Sequence, residues 1–163
     1  YEAAIEAIDE IPGIARRSAE VILAEIGIDM SRFPSAAHLC SWAGICPGNY
    51  QSAGRRKHGK TTKGNKALKT ILTQCAKSAK TVKSSYFSAQ YQRIAARRGK
   101  NRATLAVAHT MLIAIYHILS KKVAFRDLGA DYYDSFNRDR KINSYLKRLK
   151  ALGWEPDPIP SSA

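Results

Sequence analysis

Ser52 is an exposed-type hydroxyl set in Gln51-Ser52-Ala53-Gly54, followed at once by Arg55, Arg56, Lys57 and His58. A serine that attacks phosphorus needs an in-line approach and donors that neutralise the charge building on the phosphate oxygens. Arg55 and Arg56, three and four residues on, have the forked guanidinium geometry for that task. Gly54 and Gly59 let the backbone come close to a phosphate. A serine hydroxyl is a weak nucleophile without a base, and His58 is the nearby titratable candidate. Taken alone, these residues are equally those of a phosphate-binding loop without chemistry. Tyrosine is the rival nucleophile. None of the eight tyrosines stands in the spread Arg/His/Arg setting of a tyrosine recombinase, and Tyr86 and Tyr91 fit the apolar face of a helix.

Charge distribution narrows the chemistry further. The chain carries 27 Lys and Arg against 13 Asp and Glu, a net charge of +14. No Asp or Glu occurs between Asp29 and Asp127, whereas 19 of the 27 basic residues do. A metal-dependent nuclease needs carboxylates to hold its cations, and the basic middle offers none. A folded, 45% apolar chain this basic suits a polyanionic partner, nucleic acid above all. The candidate backbone binders are Lys60, Lys63, Lys66 and Lys69 after the serine, with Arg16 and Arg17 near the amino end.

Three cysteines, Cys40, Cys46 and Cys75, are too few and too odd in number for a disulfide framework and fit a reducing cytoplasm. His38, Cys40, Cys46 and His58 match no common zinc spacing, so no metal site is expected. The apolar run 105–119 is short and interrupted by His109, Thr110 and His117, which argues against a membrane span. No signal peptide is legible, and a cytoplasmic location is expected.

The elements that position these groups read as all-α. At 163 residues the chain suits one compact helical domain. Residues 1–10 read as the end of a linker helix arriving from a further domain, 11–152 as the helical domain, and 153–163 as an extended tail. Ile11-Pro12-Gly13-Ile14 sets a tight turn, followed by a helix over about 15–26 closed by Gly27. That pattern resembles a helix-hairpin-helix element, which holds a DNA phosphate through backbone amides. An ordinary packed helical pair reads the same way. Ser35 caps a short helix to about Trp42, with Leu39 and Trp42 as its apolar residues. Residues 46–64 form a long, basic, glycine-rich loop, and a loop of this length in a small domain is commonly functional. Helices follow over about 65–82, 84–98, 102–120 and 137–152. The third of these is the most apolar and is expected at the centre of the core.

One ordered set of motifs is more specific than any of these readings. Ile11-Pro12-Gly13-Ile14, Phe33-Pro34-Ser35-Ala36, His38-Leu39-Cys40-Ser41-Trp42-Ala43-Gly44, Pro47-Gly48-Asn49, Gln51-Ser52-Ala53-Gly54, Lys63-Gly64-Asn65 and Phe125-Arg126-Asp127-Leu128-Gly129-Ala130-Asp131-Tyr132-Tyr133 follow in sequence. Their order closely resembles the C-terminal transposase domain of Piv-like insertion-sequence transposases, the IS-one-ten family. The resemblance implies a recombinase that cuts and rejoins DNA strands through a covalent phosphoserine. By motif position Ser52 is that serine, and Ser41 is the alternative. It implies no cofactor in this stretch, with Mg²⁺ held by a RuvC-like domain that would precede Tyr1. It further implies DNA, a guide RNA and further copies of the same protein as partners. The alternative function is a non-enzymatic helix-hairpin-helix module that binds DNA or RNA by charge.

Overall fold

The computed structural model describes residues 1–46, 51–52, 55–56, 63–136 and 138–154, with only the backbone of the two short segments at 51–52 and 55–56. The fold is all-α, as the periodicities require. In chain order it comprises α1 (Glu2–Asp9), α2 (Arg16–Ile26), α3 (Ala36–Trp42), β1 (Gln51–Ser52), β2 (Arg55–Arg56), α4 (Lys66–Ala79), α5 (Tyr86–Arg98), α6 (Lys100–Lys121), α7 (Tyr132–Phe136) and α8 (Arg138–Ala151). The chain divides into two units, Tyr1–Ala130 and Asp131–Ala163.

Caps explain most boundaries of the first unit. The Oγ of Ser35 accepts the His38 amide, Asn65 Oδ1 accepts the Leu68 amide at 2.9 Å, and Ser85 Oγ accepts the Ser88 amide at 3.1 Å. Each satisfies an amide that the first helical turn leaves without an intrahelical partner. Gly27 at φ +73° and Gly99 at φ +84° end α2 and α5 in backbone conformations that side chains disfavour. Two elements escape the sequence reading. A single 3₁₀ turn at Met30–Arg32 is set by Asp29, whose side chain accepts the Ser31 amide. The five-residue α7 is too short to show a period. The β1–β2 pair is a local exception to an all-helical chain, since two residues a side cannot display strand alternation.

α6 is the centre of the first unit, with α1, α3, α4 and α5 packed on it. Its buried face runs through Ala103, Val107, Ala108, Met111, Leu112, Ile115 and Ile118. The helix starts directly after Gly99 and is 22 residues long, longer than the apolar run that marks it in the sequence. By length and apolarity alone it could cross a bilayer, but the four helices around it make it a core helix. The same core holds Ile22, Leu23 and Ile26 of α2, Leu39 and Cys40 of α3, and Leu68, Leu72 and Cys75 of α4, all buried. Burying each large aliphatic side chain contributes roughly 1.5–3 kcal/mol.

The α1–α2 turn is held by packing. Gly13 has φ +90°, and a Cβ there would lie 2.5 Å from the Ala79 backbone nitrogen. Only glycine permits this seat of the turn on the end of α4. In the second unit α8 carries no buried residue, and the Lys141 ammonium pairs with Asp134.

Candidate nucleic-acid interface

The basic loop is closed at its root by three residues that share no local signal of proximity. After α3, Gly44 turns the chain at φ +71°, with its amide on the Ser41 carbonyl at 3.0 Å. Ile45 then anchors in the core, its amide on the Cys40 carbonyl. The chain returns at Lys63, and Gly64 meets the turn it left. A Cβ on Gly64 would stand 2.2 Å from the Gly44 nitrogen and 2.3 Å from the Ala43 carbonyl carbon. Asn65 completes the closure. Its amide donates to the Trp42 carbonyl at 3.3 Å, and its Nδ2 donates to Glu25 Oε2 at 2.7 Å. The same side chain caps α4 through Oδ1. Cys46 and Lys63 therefore leave from one point on the α2–α3–α4 surface.

Within the loop, β1 and β2 pair antiparallel, with Gln51 opposite Arg56 and Ser52 opposite Arg55. Residues directly opposed in such a pair lie about 4.5–5.5 Å apart at Cα. The serine and the first arginine, three apart in sequence, are thus backbone neighbours across the pair. Lys57, His58 and Lys60, with Gly54 and Gly59, lie outside the described residues.

The remaining cations fall into two groups. Lys63 is exposed beside the loop root, and Lys66 and Lys69 occupy the first turn of α4, one exposed and one half-buried. Residues three apart share a helix face, so these two continue the basic surface from the root. Arg16 and Arg17 do not join them. Gly13 sits on Ala79 and Glu25 reaches Asn65, so α2 runs antiparallel to α4. Arg16 therefore lies toward the far end of α4, about 14 Å along α2 from Glu25 and the loop root at 1.5 Å per residue. Its guanidinium is also engaged, 2.7 Å from Glu2 and 3.4 Å from Glu20. The hydrogen bond and charge of Glu2 raise its pKa.

Among the other sequence candidates the tyrosines resolve into packing, whereas Ser41 does not. Ser41 is exposed on the last turn of α3, beside the loop root. Tyr91 is buried with the Lys80 ammonium 5.4 Å from its ring centre, and Tyr86 packs edge-on against Phe87. Of the four residues weighed as zinc ligands, His58 lies outside the described residues. His38 Nδ1 bonds Ser35 Oγ at 2.8 Å, while the Cys40 thiol is buried and directed at the His109 carbonyl. Burial, with a smaller contribution from nearby Cys46, pushes the Cys40 thiol up to about 12. Burial likewise raises Cys46 and Cys75, so none of the three is a poised thiolate. Among the described residues no three His, Cys, Asp or Glu cluster to hold a metal ion.

Helical spacing places Trp42 within the apolar stripe of α3. The structure leaves it 44% exposed instead, with its ring 5.6 Å from that of Phe33. An exposed aromatic ring beside a cationic loop root is suited to stacking on an unpaired base. The loop-closing roles of Gly64, Glu25 and Gly44 are likewise absent from the sequence reading. The one local signal is Lys63-Gly64-Asn65 before an apolar period, which marks Asn65 as a helix cap but does not reveal what it ties together.

A family model described as the transposase IS116/IS110/IS902 family matches residues 5–92, which span α1 to α5 and include the whole loop and its root. The chain is also similar to an uncharacterized 43.6 kDa protein of insertion element IS110 from Streptomyces coelicolor, with 39% identity over 67 residues. That match covers 40% of this chain and 16% of the relative's length.

Proposed function

Because the chain belongs to the IS116/IS110/IS902 transposase family, we propose that it is the serine-bearing, DNA-binding part of a transposase. In this reading Ser52 Oγ attacks a DNA phosphorus. A new O–P bond forms, the bond from phosphorus to one bridging oxygen breaks, and the proton lost by Ser52 is returned to that leaving oxygen. Arg55, Arg56 and Lys57 clamp the phosphate, and Lys60, Lys63, Lys66 and Lys69 hold the flanking backbone. Arg16 and Arg17, at the other end of α2, serve as a separate backbone contact. A metal, a guide RNA and further copies of the protein belong to the same reading of the longer protein.

The observation that carries the proposal is the register of the β pair, Ser52 against Arg55, on a loop closed by Gly64 and Asn65. Pairing a hydroxyl residue with a guanidinium residue is what transition-state charge stabilisation at a serine requires. The test is a trapped-intermediate assay on the full-length transposase with a nicked element end. Ser52→Ala should abolish the denaturant-resistant protein–DNA adduct and leave DNA affinity within about twofold. If the adduct forms in Ser52→Ala and vanishes in Ser41→Ala, the nucleophile is Ser41 instead.

A further inference from the structure

A second concentration of charge lies away from the loop in sequence and is not used by the proposed reaction. α5 and α6 are joined by the single residue Gly99, at φ +84°, which is at once the end of one helix and the start of the next. The two helices pack closely along their lengths, with Gln90 Nε2 on α5 donating to Thr110 Oγ1 on α6 at 2.8 Å. Gln90 is nine residues before Gly99 and Thr110 eleven after it, so the pair folds back as a hairpin with Gly99 at its tip. Around that tip stand Arg93, Arg97, Arg98, Lys100 and Arg102, all exposed.

We propose that this α5–α6 tip is a second phosphate-backbone contact, which grips a nucleic-acid duplex beyond the stretch held by the basic loop. The proposal rests on the nucleic-acid reading of the chain given above. Three observations carry it. First, the hairpin brings no acid of its own, since no carboxylate occurs between Asp29 and Asp127. Arg97, Arg98 and Lys100, three cations in four residues, repel one another, and an external polyanion relieves that repulsion. Second, Lys100 occupies the first turn of α6, where the helix dipole disfavours a cation, so the start of the helix does not account for its charge. Third, the other exposed residues from 92 to 102 are Gln92, Ala96, Gly99 and Asn101, with no large apolar side chain among them. A protein partner would need apolar or aromatic anchors at the centre of its patch. Cations with polar amides and no anchor are the chemistry of phosphate and sugar contacts.

The phosphodiester backbone is common to DNA and RNA, so the experiment has two arms. Binding of the 163-residue chain to a duplex DNA of about 30 base pairs, roughly three helical turns, and to an RNA hairpin is followed by fluorescence anisotropy over a range of salt. The variant is Arg97→Gln/Arg98→Gln/Lys100→Gln. Each phosphate that the protein no longer neutralises should flatten the slope of log affinity against log salt by about 0.9, so the triple variant should flatten it by about 1.8–2.7 in the arm whose duplex the tip holds. Circular dichroism should show its helix content unchanged. An unchanged slope in both arms overturns the inference while leaving the loop reading intact. The loop reading is checked separately by Lys63→Gln/Lys66→Gln in the same assay. A wild-type chain that binds neither nucleic acid overturns both.

Discussion

Gly64→Ala tests the closure of the loop root most directly. The new Cβ would stand 2.2–2.5 Å from the Gly44 nitrogen, the Ala43 carbonyl carbon and the Gly44 Cα. All three are backbone atoms, so no side chain can swing aside. Either α4 retreats from the end of α3 or the Gly44 turn opens. Overpacking of this kind costs about 1–3 kcal/mol. Retreat of α4 also strains the Asn65 bonds to Trp42 and Glu25, and losing one such bond adds about 1 kcal/mol. A total of about 2–4 kcal/mol lowers the melting temperature by about 5–15 °C for a chain of this size. The comparison is Gly27→Ala. Gly27 has φ +73° and ψ −179° but nothing within 4 Å of a new Cβ, so it incurs backbone strain of about 1–3 kcal/mol without overpacking. Melting followed by circular dichroism gives the stability difference. Hydrogen exchange locates it, because the Leu68 amide, held by Asn65 Oδ1, should lose protection in Gly64→Ala and keep it in Gly27→Ala. If Gly64→Ala melts within about 1 °C of wild type, well under the shift that 1 kcal/mol produces, with Leu68 protection intact, Gly64 does not hold the root and the reasoning fails.

Asn65→Ala removes the α4 cap and the bond to Glu25 together. It should destabilise by about 1–2 kcal/mol, a typical cap loss, and Asn65→Ser should recover part of that in chemical unfolding. Iodoacetamide at about pH 8, near the ordinary thiol value, should label half-buried Cys46 well before Cys40 and Cys75, because burial raises the buried thiols and shields them. Mass spectrometry that finds Cys40 labelled first would contradict its packing. His109 has its pKa lowered by burial, so the unfolded chain takes up its proton at higher pH than the folded one. That contribution to stability is full above the ordinary histidine value of about 6.5 and is lost as pH falls below it toward the lowered folded value. Melting temperatures between about pH 7.5 and 5, a window that brackets the ordinary histidine value, should therefore fall less steeply in His109→Gln than in wild type, and parallel profiles would count against the shift.

Caps, breakers and periods mark α2, α3, α4 and α5 in the sequence to within a few residues. The reason is that Ser35, Asn65, Ser85, Gly27 and Gly99 act on amides and dihedrals next to them. The 3₁₀ turn and α7 escape because one turn carries no period. Trp42 escapes because helical spacing assigns a face without revealing what covers it, and here Phe33 is the aromatic ring that packs on it while much of the indole stays exposed.

The site divides along the same line. Residue types alone determined the ordered family motifs, the acid-free basic middle and the closeness in sequence of Ser52 to Arg55 and Arg56. Tertiary structure alone decided which cations share a surface. It put Lys63, Lys66 and Lys69 at the loop root, sent Arg16 to the opposite end of α2 with Glu2 and Glu20, and gathered Arg97, Arg98 and Lys100 at the tip of a separate hairpin. The physical reason is range. Capping, turn chemistry and amphipathic period act within one or two turns of chain. The meeting of Gly64 with Ala43, or of Asn65 with Glu25, depends on how buried faces of distant helices fit, which no local pattern encodes.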